Sequence, residues 1–250
     1  MKLARPLLVI GFWGGGWQVA AVVVDQDILL ASPGSVLARL GDLVRTADFW
    51  DTTWHSLARI AAGFLLAALA GVLGAALANT SRIIDALVTP LITAVRSTPV
   101  VSFIILVLLW ADSGRLALII SFMMVVPVIH TNVPDGIRHR DRSLLEAATV
   151  FEVPVLRRLP AIDIPAVLPF FIAACKIGVG LAWKSGIAAE VIGLPRGSIG
   201  ERLYQAKIFL GSADLFAWTV VIVTLSFTLE ALVLALLKRV ERRLAHGGAT

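Results

Sequence analysis

Residues 57–78 read LARIAAGFLLAALAGVLGAALA, an apolar run of twenty-two positions. An α-helix rises 1.5 Å per residue and the hydrocarbon layer of a bilayer is about 30 Å thick, so roughly 20 apolar residues cross it. This run is the cleanest membrane-spanning candidate in the chain and sets the scale for the others. Within it Gly63, Ala67, Gly71 and Ala75 recur every four positions. Such a stripe lets another helix backbone approach closely. Glycine and alanine are also common in membrane helices at large, so the stripe alone leaves both readings open.

Working outward, the 250 residues are 58% hydrophobic and 16% charged, with a mean hydropathy of +0.88. That is more apolar surface than one water-soluble core can hide. The chain reads as an all-α integral membrane protein, a single membrane domain over 1–250 with no room for a sizeable soluble module. Five further apolar runs join the first, at 7–24, 86–111, 115–131, 166–187 and 214–237, giving about six transmembrane helices. The run 86–111 is broken by Pro90 and Pro99. Ile83–Val95 is therefore expected to lie at the membrane interface as a helix that leads through RSTP (96–99) into the bilayer. The run at 7–24 follows Lys2 and Arg5, as in a signal peptide, but no A-x-A cleavage pattern precedes Asp25, so an uncleaved first helix is expected.

Basic residues set the expected orientation. Thirteen lie in segments on the side of both termini, against five (Arg39, Arg45, Arg196, Arg202, Lys207) on the other. The positive-inside rule then places both termini, the loop 132–165 and the tail 238–250 in the cytoplasm of a cell inner membrane. The net charge of +5 is ordinary for basic loops held against anionic lipid. No basic run interleaved with aromatics points to nucleic acid. The single cysteine, Cys175, offers neither a disulfide framework nor a cysteine metal site.

The loop 132–165 is the most polar stretch between the spans. DRSLLEAATVFEV (141–153) predicts a short helix capped by Asp141 or Ser143 and stopped by Pro154, with Leu144, Leu145, Ala148, Val150 and Phe151 able to form one face. Such a helix fits a groove on a partner, or serves as a solvated connector.

Here the residues resemble a known family. Glu146-Ala147-Ala148 followed by Ile162-Asp163-Ile164-Pro165 is similar to the EAA loop of binding-protein-dependent ABC importer permeases, the MetI-like superfamily. That pattern places a glycine four residues after the last alanine and then I-x-L-P. Glu152 stands at the glycine position and Ile164 at the leucine, which leaves the turn after the helix open. RSTPVVSFIILVLLW (96–110), LAWKSGIAAEVIGLP (181–195) and GSIGERLYQAK (197–207) look like the nitrate/sulfonate/taurine-type subgroup, and the resemblance covers roughly 55–240. It implies a MetI-like permease fold with a cytoplasmic coupling helix, working as a homodimer with two ABC ATPase subunits and an extracytoplasmic substrate-binding protein. ATP hydrolysis falls to the partner; this chain is expected to be no enzyme and to hold no cofactor. Glu146, Ala147, Ala148, Phe151, Glu152 and Pro165 are the implied ATPase-coupling residues. Pro160, Pro165 and Pro169 would stiffen the connection into the following helix, or simply mark its start.

GVGLAWKS (178–185) comes close to a phosphate-binding loop, but Trp183 stands where the second glycine belongs and the stretch continues an apolar helix, so nucleotide binding is not expected there. Lys176 and Lys184 in that helix are a better lead. A charge at membrane depth costs about 2.5–3.5 kcal/mol on insertion scales, so such residues should face the bundle interior or a path. Eight residues apart, they share a flank with Gly180 and lie near Trp183; a path lined this way suits a small anion such as nitrate, sulfonate or taurine. Lys184 could alternatively snorkel to the outer interface. Glu190 lies about 240° around a helix from Lys184, so no intrahelical salt bridge is predicted. AAEVIGLPRGSIGE (188–201) reads as a non-helical turn before a short helix at 199–210, and as either an outer gate or a plain loop. A vitamin precursor or other neutral heterocycle remains open as the solute, as does an ATP-independent secondary transporter.

Overall fold

A computed structural model gives the structure of the protein and describes residues 4–247. Every regular element among them is helical: α1 (Ala4–Val24), α2 (Pro33–Val44), α3 (Ala47–Thr80), α4 (Arg82–Ser97), α5 (Val100–Leu108), α6 (Ser113–Arg138), α7 (Arg142–Val150), α8 (Val155–Arg158), a π turn (Leu159–Asp163), α9 (Ile164–Gly193), α10 (Ile199–Ile208) and α11 (Ser212–Gly247). Side-chain oxygens cap several starts: Ser32 accepts from Ser35 N–H, Thr46 from Phe49 N–H and Ser198 from Glu201 N–H, each satisfying a donor that the first turn leaves open.

Among the described residues, four helical stretches are long and apolar enough to cross a membrane: Ala47–Thr80, Ser113–Arg138, Val155–Gly193 and Ser212–Arg242. The pair α4 and α5 makes a fifth when taken together, bent by 106° at the Thr98–Pro99 break. α1 is 21 residues long, enough for a further crossing by length. The bend follows from Pro99, which cannot donate to a continuing helix. α4 buries none of its residues, in keeping with a helix lying along the interface.

α6 sits between α3 and α9. Leu116, Ala117, Ile120, Ser121, Val125 and Ile129 on α6 are fully buried. The stripe on α3 faces this helix. A Cβ on Gly63 would stand 2.4 Å from the Leu118 carbonyl oxygen, and one on Gly71 would stand 2.6 Å from Ile129 Cβ. Gly186 does the same from α9, where a Cβ would fall 2.5 Å from Ile60 Cγ1 and 2.7 Å from Ser121 Oγ. At this crossing Ser121 Oγ donates to the Ala182 carbonyl at 2.9 Å. The small residues thus join helices of one chain, which decides between the two readings of the stripe.

Several boundaries differ from expectation: α3 begins at Ala47, capped by Thr46, rather than at 57, and α11 runs on past 237 to Gly247. α6 runs on to Arg138 rather than ending near 131, because Gly136 lets the chain pass within contact of Val167 and Phe170 on α9 and packing carries the helix past Pro134. α9 runs to Gly193, so residues 188–193 are helical and the turn is confined to 194–198. Leu194 closes the helix at φ 49°, its N–H bonded to the Glu190 carbonyl at 2.8 Å. Of the expected tail 238–250, residues 248–250 lie outside the described residues.

Candidate functional site

The loop between α6 and α9 is built from α7 outward. Asp141 caps it, one carboxylate oxygen accepting from Ser143 N–H at 2.8 Å and Ser143 Oγ at 2.6 Å. The Ser143 hydroxyl, then its amide, hold the Asp141 carboxyl below its usual range. At the far end Glu152 adopts φ 50°, Glu152 N–H bonds to the Thr149 carbonyl at 3.1 Å and Val153 N–H to the Ala148 carbonyl at 2.8 Å. This is a Schellman stop with Glu152 in the left-handed position that glycine prefers. The departure at Glu152 therefore keeps the turn and replaces only the residue; Pro154 follows the stop rather than causing it. Of α7 only Ala148 is buried, while Glu146, Ala147, Val150, Phe151 and Glu152 are more open, with Val150 and Phe151 each 78% exposed.

Where the loop rejoins the bundle, Asp163 on the π turn is 8% exposed. Arg140, just beyond α6, donates through Nη1 to Asp163 Oδ1 at 2.5 Å, and Arg158 on α8 donates through Nε to Oδ2 at 3.1 Å. One carboxylate thereby ties three segments together, with Pro165 in the first turn of α9 immediately after it. Arg140 also donates through Nε to the Ile137 carbonyl at 2.7 Å.

On α9 the expected path residues separate. Lys176 and Lys184 are exposed in the single chain. Trp183 is turned the other way, 1% exposed, with Nε1 donating to the Ile222 carbonyl of α11 at 3.0 Å; it fastens two helices and does not line the lysine flank. Residues 178–185 form one continuous helix, without the strand and turn of a phosphate-binding loop. Glu190 is fully buried. Its Oε2 accepts from Ser56 Oγ at 2.7 Å and Gly200 N–H at 3.3 Å, and its Oε1 stands 3.9 Å from Arg59 Nη1. Ser56 Oγ also accepts from Ile199 N–H at 2.9 Å, so α3, α9 and the start of α10 meet at this carboxylate. Gly200 is required there, since a Cβ would lie 2.4 Å from Glu190 backbone.

Ser56 and Arg59 are not among the residues expected from sequence. The charge of Arg59 inside the run 57–78 is a readable signal, by the same membrane-depth argument that singles out the lysines. Its partner lies more than a hundred residues away and is not readable.

Residues 63–246 match the family described as the binding-protein-dependent transport system inner membrane component. Three relatives align along most of the chain. One from Haemophilus influenzae, named as a probable ABC transporter permease protein, is 27% identical over 92% of this chain and 93% of its own. The taurine transport system permease protein of Escherichia coli is 26% identical over 89% and 83%. The nitrate import permease protein of Synechococcus elongatus is 28% identical over 76% and 71%. A match across most of the chain, on a multi-pass helical bundle, makes this protein a member of the binding-protein-dependent inner membrane transport components.

Proposed function

We propose that the chain is the translocating subunit of an ATP-driven importer, paired with a second copy and driven by two ATPase subunits that grip α7 from the cytoplasm. The observation that carries this reading is the form of α7: capped at its start, stopped by a left-handed residue, and bearing Val150 and Phe151 open at its end. A short helix that buries one alanine against its own chain gains little from packing, and its open apolar end suits a groove on a partner. Glu146, Ala147, Ala148, Phe151 and Glu152 make the contact, and the Asp163 cluster with Pro165 passes displacement to α6 and α9. Closure of the ATPase dimer then moves two such loops as levers and exchanges the open side of the bundle.

Both termini and this loop are cytoplasmic in this reading, and the binding protein approaches the opposite end. The path runs along the α9 flank bearing Lys176, Gly180 and Lys184, which the protomer itself leaves uncovered. Trp183 holds that flank in place against α11, and Glu190 fixes α10 across the outer mouth. The relatives named for taurine and nitrate handle solutes bearing an anionic group, and two lysines on one flank of a span suit that class.

The test uses the protein's own cysteine content. Cys175 is buried, so Ala147→Cys supplies the accessible thiol for crosslinking in the assembled complex. The expected product joins this chain to the ATPase subunit from the cytoplasmic side; labelling of the introduced thiol only from outside the cell would end the proposal.

A further inference from the structure

Beside the Asp163 cluster lies a cavity of about 640 Å³. Its walls are mostly apolar and come from three helices: Val72 and Ala76 near the end of α3, Ile137 near the end of α6, and Val167 and Phe171 near the start of α9, with Asn79 and Thr80 adding polar groups at the α3 terminus. Arg140, just beyond the end of α6, and Arg158, on the short α8 before α9, also line it. A guanidinium carries five N–H donors. Arg140 spends two on Ile137 and Asp163, and Arg158 spends one on Asp163. Two cations against one carboxylate leave the cluster with an excess positive charge, and both arginines keep donors for another acceptor.

An apolar trough that ends in a pair of guanidiniums matches an amphiphile with an anionic head. A free anion would leave the apolar wall wet, and an apolar helix from a partner would leave the charge unanswered. We propose that the cavity holds one anionic phospholipid, its phosphate on Arg140 and Arg158 and an acyl chain along Ala76, Ile137 and Phe171. Basic pockets between spanning helices at the membrane face hold such headgroups, and arginine meets phosphate oxygens in a two-pronged fashion. Since the same arginines secure Asp163, the lipid bears on the base of the α7 loop. The inference rests on the proposed orientation only in assigning the lipid to the cytoplasmic leaflet.

The experiment takes lipid-depleted full-length protein in detergent, titrates it with phosphatidylglycerol or phosphatidylcholine, and counts retained lipid by native mass spectrometry. The parent is expected to hold phosphatidylglycerol in preference to phosphatidylcholine. Arg158→Gln should weaken that retention roughly fivefold, the worth of one cationic side chain at a membrane surface. Ala76→Phe, which fills the trough and keeps both arginines, should abolish it. Equal retention of the two lipids by the parent, which needs no variant, overturns the proposal. So does undiminished phosphatidylglycerol binding by Ala76→Phe, or displacement of the lipid by millimolar inorganic phosphate with no effect of Ala76→Phe, which would give the arginines to a soluble anion. Because lipid retention is read without transport or nucleotide, failure here leaves the coupling proposal standing.

Discussion

Ser56 on α3 donates its hydroxyl proton to Glu190 on α9 at 2.7 Å, and the same oxygen receives the Ile199 N–H at 2.9 Å. The pair is buried at both ends, so Ser56→Ala leaves the Ile199 amide without its partner and Glu190 Oε2 with only the Gly200 N–H at 3.3 Å. An orphaned buried polar group costs about 1–3 kcal/mol. Thermal unfolding in detergent should show Ser56→Ala markedly less stable than the parent, with α10 amides losing hydrogen-exchange protection first. An unchanged melting temperature would mean the contact is absent in the working protein.

Glu152 occupies a left-handed backbone position, φ 50°, which costs an L-residue with a side chain roughly 1–2 kcal/mol. Glu152→Gly should therefore strengthen the α7 stop, raising protection of the Val153 amide several-fold, while Glu152→Val should lower it. The reverse order would contradict the Schellman geometry.

The Asp141 carboxyl is held below its usual range by Ser143. A lowered carboxyl stabilises the fold above the ordinary carboxylate value and loses that contribution as pH falls through the depressed value. Protection of the Ser143 amide should hold from neutral pH through about pH 5 and fade only at more acid pH, and Asp141→Asn should flatten the profile. A profile that is the same in both proteins would dismiss the cap.

Gly186 and Gly180 lie on one helix in opposite surroundings. Forcing a Cβ against Ile60 and Ser121 at Gly186 should cost about 1–3 kcal/mol as overpacking. Gly180→Ala meets nothing within 4 Å and should be neutral or stabilising by about 0.5–1 kcal/mol. Comparable losses at both positions would argue against the α3–α6–α9 crossing.

Two functional variants complete the set. On the proposed coupling, Glu146→Lys should insert normally yet break the link between ATP hydrolysis and uptake, measured in proteoliposomes with the proposed ATPase and binding-protein partners. Lys184→Leu should lower uptake of an anionic solute without impairing assembly; equal uptake by mutant and parent would remove the lysine from the path.

Much of the bundle is legible residue by residue, because bilayer thickness converts an apolar run directly into a helix and proline into a break. The span over 57–78, the bend at Pro99, the short helix around Glu146 and the one beginning at Ile199 all follow from such local rules. Which way a helix turns its faces is another matter, because it depends on neighbours distant in sequence. Only the packed structure sends Trp183 to the Ile222 carbonyl rather than to the lysine flank, draws Arg59 and Ser56 onto Glu190, and closes Arg140 and Arg158 on Asp163. Hydropathy records how greasy a segment is, whereas the desolvation of a buried carboxylate is satisfied by whichever donors the tertiary fold brings within reach.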